Sequence, residues 1–220
     1  MDELRLKLRE IANTHMSSDA AHDLGHLDRV WTSVKEIAAG EGAGDIRVLL
    51  GATYLHDIVN LPKDSPDRAK ASTFAADMAA PILAGLNYTA AENKAAQHAI
   101  AAHSHSAGIP PLSPEARILR DADRLDALGA IGVARAFAVA GSLGQRFYDG
   151  QDPFAENRTL DDTRVSLDHW QVKLLGLRDG LLTETARKIA RRRLDFMRAF
   201  LEQLATEIGL PVPQALLSRF

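Results

Sequence analysis

The stretch IRVLLGATYLHDI (46–58) decides the fold. Val48, Leu49, Leu50, Ala52 and Leu55 leave it little polar face, so it reads as a largely buried helix. It ends on His56-Asp57. A charged Asp at the end of a buried segment needs a partner or a metal to offset the loss of water.

Helical punctuation recurs on both sides of this stretch. Leu4, Leu8 and Ile11 stand at helical spacing within residues 2–14. A second helix is expected from about His26 to Ala39, with Val30, Val34, Ile37 and Ala38 on one broad face and Gly40, Gly42 and Gly44 after it. Downstream, Ser65-Pro66-Asp67 looks like an N-cap, a proline at the first helical position and an acidic first turn. That helix is expected to reach about Ala84 and stop at Gly85. Thr89 and Glu92 form a capping box for a helix across 90–102. Ser113-Pro114-Glu115 opens another, running to about Leu128, and the Ala- and Gly-rich stretch Gly129–Gly144 predicts a close-packed one. Two more are expected at about 163–179 and 184–208. QRFYDGQDPFAENRTLDD (145–162) is the least regular segment and is expected to be a mobile substrate loop. No β alternation is long enough for a strand. The class is all-α.

Composition narrows the chemistry. The absence of cysteine excludes disulfides, thiolate catalysis and Cys-ligated zinc. A formal charge of -3 gives no sign of a nucleic-acid-binding surface, so a small anionic substrate must be held by local positive charge or by a metal. The basic run Arg187–Arg193 is followed by Leu194, Phe196, Met197, Phe200 and Leu201, which makes it the charged outer face of a helix. No 18 apolar residues run together, so no membrane span is expected. The charged start MDELRLKLRE lacks a signal-peptide pattern, which leaves the cytoplasm as the expected location.

Seven of the eight histidines lie between residues 15 and 105, and several adjoin acids. His22 and Asp23 precede His26, His56 adjoins Asp57, and Asp121, Asp123 and Asp126 cluster between apolar Leu119 and Leu128. Two imidazoles and two carboxylates from separate helices make a plausible nitrogen/oxygen metal site, suited to Mn, Fe, Co, Ni or Zn, with open positions for water. By residue type alone, each histidine is more often a hydrogen-bonded core residue than a ligand, and the acidic cluster is more often a helix start or a solvated face.

The ordered set His26, His56-Asp57 and Asp123 resembles the H…HD…D signature of the HD-domain superfamily of metal-dependent phosphohydrolases. HDLGHLDRV (22–30), YLHDIVNLPKDSP (54–66) and LRDADRLDALGAIG (119–132) resemble the family's three motifs, and HWQVKLLGL (169–177) the C-terminal half of a bacterial subgroup. The resemblance implies a compact multi-helix bundle with additional C-terminal helices. We read residues 1–220 as one domain, with a metal-binding core over about 20–130 and a helical extension over about 131–208.

Carried over from that resemblance, His26, His56, Asp57 and Asp123 are the expected ligands of a divalent ion, Mn, Co, Ni, Fe or Zn, with Mg also compatible. Asp57, Asp126, His103 and Lys63 are the expected catalytic groups, and Asp121 is expected to orient imidazoles or water. Arg68, Arg124, Arg146 and Tyr148 are candidates for gripping substrate. His98, His103 and His105 occupy the interval in which some relatives carry ligands for a second ion. Of these, His103 is favoured as a pocket residue.

The expected activity is hydrolysis of a small phosphate ester or nucleotide by metal-activated water. No nucleic-acid or membrane partner is expected. A two-metal phosphodiesterase, a di-iron oxygenase and a non-catalytic ligand sensor are the alternatives. The lack of a Gly-rich phosphate loop disfavours kinase or ATPase chemistry.

Overall fold

Side-chain caps set the start of several helices in this chain. The computed structural model describes residues 1–15, 23–59, 61 and 65–220. It divides into two units, Met1–Asp123 and Arg124–Phe220. Among the described residues there is no strand, only a single bridge between Arg146 and Val165. No single helix is long and apolar enough to cross a membrane.

The first unit begins with α1 (Asp2–His15), α2 (Leu24–Glu41) and α3 (Ile46–Leu55). The Asp23 carboxylate accepts the His26 N–H at 2.8 Å, which fixes the start of α2. Asp45 does the same for α3 by accepting from Arg47 and Val48. α2 ends at Gly42, where a left-handed φ of 61° favours glycine. Next come α4 (Ala71–Gly85), α5 (Ala90–His103) and α6 (Pro114–Leu125). The Thr89/Glu92 capping box is present at α5.

α3 is the hub of this unit and packs on α1, α2, α4 and α5. Gly51 allows this, because a Cβ there would stand 2.8 Å from Leu83 and 2.9 Å from the Tyr88 hydroxyl. Leu27, Leu49, Leu50, Leu55, Leu83 and Ile100 are fully buried. Each such side chain contributes about 1.5–3 kcal/mol over its exposed state.

Three expectations need correction here. The Ser65-Pro66-Asp67 triplet does not cap an α-helix. Instead Ser65 accepts from Asp67 and Arg68 in a turn, which leads into a 3-10 helix at Arg68–Lys70 before α4 starts. Pro81 is accommodated inside α4. α3 ends at Leu55, three residues before Ile58, with His56 and Asp57 in the turn that follows. α6 stops at Leu125 rather than Leu128, because the amides of Ala127 and Leu128 bond back three residues in turns.

The second unit holds α7 (Gly129–Ser142), α8 (Ser166–Val172), α9 (Glu184–Ile208) and α10 (Gln214–Leu217). The helix expected at 163–179 is broken at Lys173, where φ -128° and ψ -56° leave helical geometry, and it continues as a 3-10 helix over Leu174–Gly180. α7 packs on α8 and α9. Along α9, Ile189, Ala190, Leu194 and Met197 are buried while Arg187, Lys188, Arg191 and Arg192 are exposed, as the apolar spacing requires.

The irregular segment is strongly tied. Arg158 grips the fully buried Asp168 through Nη1 to Oδ2 at 2.5 Å and Nη2 to Oδ1 at 2.7 Å. The Asp161 amide donates to Asp168 Oδ2, and Asp152 accepts from Glu156 and Asn157. Removing the guanidinium strands a buried carboxylate. Arg158→Ala is therefore expected to cost about 3 kcal/mol of stability. A denaturant melt within 0.5 kcal/mol of the parent, roughly the spread of neutral surface changes, would contradict that expectation.

Candidate metal centre

Five side chains of the first unit converge, and their helices explain why. The α2 cap places His26 in the first turn of that helix, while His56 follows directly on α3 with Asp57 after it. His103 is the last residue of α5, and Asp123 lies near the end of α6. His26 Nε2 stands 3.4 Å from Asp123 Oδ1 and 3.8 Å from Asp57 Oδ2. His56 Nε2 is 3.5 Å from Asp57 Oδ2 and 3.9 Å from Asp123 Oδ1. His103 Nε2 faces the other oxygen of Asp57, Oδ1, at 3.6 Å. The rings of His56 and His103 meet edge to face at 4.8 Å.

Helix ends orient two of the rings. His56 Nδ1 lies 2.7 Å from the Thr53 carbonyl, and His103 Nδ1 lies 2.6 Å from that of Ile100. A carbonyl only accepts, so each Nδ1 carries the proton. In the neutral ring Nε2 is then a bare lone pair. His56 Nε2 is buried and has no hydrogen-bond partner, a costly arrangement unless something else occupies it.

The electrostatics separate the groups. Burial pushes the His56 pKa below its ordinary value despite Asp57 and Asp123. Burial also opposes protonation of His103, but the hydrogen bond and charge of Asp57 outweigh it, so the His103 pKa is raised. Burial disfavours the Asp123 carboxylate, yet the hydrogen bond from His26 and the charge of the surrounding imidazoles hold its pKa below the usual range.

Two sets of ligand atoms are close enough to share an ion. They are His26, His56 and Asp123, and His56, Asp57 and His103, each with atoms within 4.8 Å of one another. The donors fit a divalent ion: nitrogen and carboxylate oxygen, with a bare buried imidazole nitrogen at their centre.

The other expected site residues are placed differently. Asp121 is fully buried on α6. Asp126 belongs to the second unit, where its Oδ2 accepts from Arg135 at 2.8 Å. The Arg68 guanidinium donates to the Leu61 carbonyl and Arg124 Nη1 to the Gly180 carbonyl. Arg146 is exposed and Tyr148 half-buried, both in the second unit. His98 Nε2 accepts the Leu112 amide at 3.1 Å, and His105 is exposed. Lys63 and His22 lie outside the described residues. The backbone anchors on His56 and His103 were missed in the sequence, because a carbonyl three residues back leaves no residue-type signal. The Asp23 cap was detectable from an acid three positions before His26 at a helix start.

Comparison with known proteins agrees with this geometry. The family model described as the HD domain matches residues 23–128. YpgQ of Bacillus subtilis is 32% identical over 194 residues, covering 86% of this chain and 85% of that protein. The crystal structure of an HD-superfamily hydrolase from Bacillus thuringiensis superposes with a TM-score of 0.72 at 31% identity, covering 94% of this chain and 97% of that one. The crystal structure of B. subtilis YpgQ in complex with ADP superposes with a TM-score of 0.70 at 28% identity, over 94% of this chain and 97% of that chain.

Proposed function

Because the chain belongs to the HD-domain superfamily, we propose that it is a metal-dependent phosphohydrolase that acts on a small phosphate ester, with a nucleotide as the first candidate. The observation that carries this reading is the convergence of three imidazoles on two carboxylates, with the buried His56 Nε2 unpartnered at the centre. A nucleotide is favoured because YpgQ has been crystallised with ADP.

His26, His56, Asp57 and Asp123 would hold the ion. A divalent ion there supplies Lewis acidity, lowering the pKa of water and offsetting charge on a phosphoryl oxygen. His103, with Nε2 3.6 Å from Asp57 and its pKa raised, is placed to take a proton from the attacking water or return one to the leaving oxygen. Asp126 is less suited to that work, since Arg135 engages its carboxylate. The Arg68 and Arg124 guanidiniums each donate to a backbone carbonyl, which makes them less suited to gripping phosphate. Arg146 and Tyr148 stay as candidate contacts for the rest of the substrate.

After dialysis the purified protein is expected to retain a divalent transition metal, because imidazole and carboxylate together favour such ions over Mg. Elemental analysis tests this, alongside a panel of nucleotides, cyclic nucleotides, sugar phosphates and model esters assayed with Mn, Co, Ni, Mg and Zn. Full activity in a metal-free protein would end the proposal. Turnover that requires dioxygen would favour the oxygenase alternative, and stoichiometric metal with no turnover on the whole panel would favour a ligand sensor.

A further inference from the structure

Behind the metal-facing sides of α2 and α3, a second polar cluster joins the same two helices to α1. Asp28 follows His26 by two positions on α2, and Tyr54 precedes His56 by two at the end of α3. Two positions turn a helix by about 200°, so each of these side chains points away from its neighbouring histidine. The Tyr54 hydroxyl donates to Asp28 Oδ1 at 2.7 Å. Arg5 of α1 donates through Nε to the Tyr54 oxygen at 2.7 Å and through Nη2 to Asp28 Oδ1 at 2.8 Å. Arg9, one turn on, donates through Nε to Asp28 Oδ2 at 3.1 Å. One fork therefore touches both helices, and a second guanidinium fixes the other oxygen of the same carboxylate.

This is more than α1 needs in order to dock. Leu8 and Ala12 are already fully buried on that helix. The match to the family model begins at residue 23, so α1 and its arginines lie outside the matched segment. Tyr54 is wholly buried, and its hydroxyl exchanges hydrogen bonds with Arg5 and Asp28, whose outer sides stay partly exposed. The ligand geometry on the other side of these helices depends on their spacing and rotation, since His26 Nε2 and His56 Nε2 must both reach Asp123 Oδ1.

We propose that Arg5, Arg9, Asp28 and Tyr54 are positioning residues for the metal centre: by locking α2 against α3 from behind, they set where the His26 and His56 nitrogens stand. The inference rests on the metal-dependent reading of the site. It makes the N-terminal helix part of the apparatus that tunes metal affinity, although no α1 residue contributes a ligand.

The test uses the full-length protein stripped of metal, with Mn2+ and Co2+ as probes. The variants are Tyr54→Phe, which removes only a hydroxyl, Arg9→Gln at a half-exposed position, and Arg9→Lys. Mn2+ affinity is read from the free-ion signal in electron paramagnetic resonance, and ligand geometry from the visible bands of the Co2+ form. Both are measured well below each variant's melting temperature. Tyr54→Phe is expected to weaken Mn2+ binding roughly three- to tenfold, less than the 10–100-fold seen for residues directly behind ligands. It should also change the Co2+ band intensities. Arg9→Gln should move both readouts the same way by less, and Arg9→Lys should restore part of the difference. If Tyr54→Phe and Arg9→Gln melt earlier but keep the parent's Mn2+ affinity and Co2+ spectrum, the cluster merely fastens α1 and the proposal falls. Should Tyr54→Phe fail to fold, the two Arg9 variants decide by the same criteria. A parent protein that takes up neither ion would overturn the metal-dependent reading and this inference together, and that result is visible before any variant is made.

Discussion

Asp57→Ala is expected to abolish hydrolysis and most metal retention while leaving helical content intact. Asp57 presents Oδ2 to His26 and His56 and Oδ1 to His103, so its loss removes negative charge from the middle of the centre. Losing a residue that merely orients ligands costs about 10–100-fold, and losing a ligand should cost more, at least about 10³-fold in turnover. The apolar core does not include this carboxylate. Leu49, Leu50, Leu55 and Ile100 bury the interior of the first unit, and Asp57 sits in a turn just beyond the end of α3. Circular dichroism with elemental analysis on the same preparation separates the two effects. An active variant with its full complement of metal would contradict the assignment.

His103→Ala is expected to lower turnover roughly 10²–10⁴-fold, the range for losing a general acid–base group, without changing metal stoichiometry. Geometry favours a single ion. His56 belongs to both possible ligand sets, but its Nδ1 is bound to the Thr53 carbonyl, so it has one lone pair to give. Once His26, His56, Asp57 and Asp123 share an ion, the described residues would offer a second ion His103 and the other oxygen of Asp57. The neighbouring histidines do not complete that set, because His98 Nε2 accepts a backbone amide and His105 is exposed. The opposed orientation of the two Asp57 oxygens is what favours a bridging, two-ion arrangement. Metal titration of parent and variant with activity followed in parallel decides between them. Two cooperative equivalents in the parent, falling to one in the variant, would establish the two-ion centre instead.

The parts of this protein written in local patterns were readable from the sequence. The Thr89/Glu92 box, the apolar face of 46–55 and the alternating charge and burial of α9 are contacts within a few residues of one another. The Ser65-Pro66-Asp67 triplet was ambiguous because a serine oxygen accepting nearby amides serves a turn as well as a helix cap. The break at Lys173 left no mark, since the apolar spacing continues through Leu174 and Leu175, both buried in the 3-10 helix. The order of His26, His56-Asp57 and Asp123 suggested a centre only through family resemblance. Their separations of 30 to 66 positions carry no distance information until the helices are packed. The same limit hid the cluster around Asp28, where arginines of another helix meet its carboxylate.

An ion arriving at His56 has no proton to displace. The ring keeps its single proton on Nδ1, held by the Thr53 carbonyl, and burial lowers its pKa, so Nε2 stays bare to more acidic pH than in free histidine. In the free amino acid the same lone pair is contested by hydrogen ions as the solution approaches the imidazole range. Here folding itself shifts that competition, because the end of α3 dries the ring and disfavours its protonated form. At this one ligand, hydrogen ions therefore compete with a metal only at more acidic pH than they would for a free imidazole. The helix end thus biases this one nitrogen against protonation.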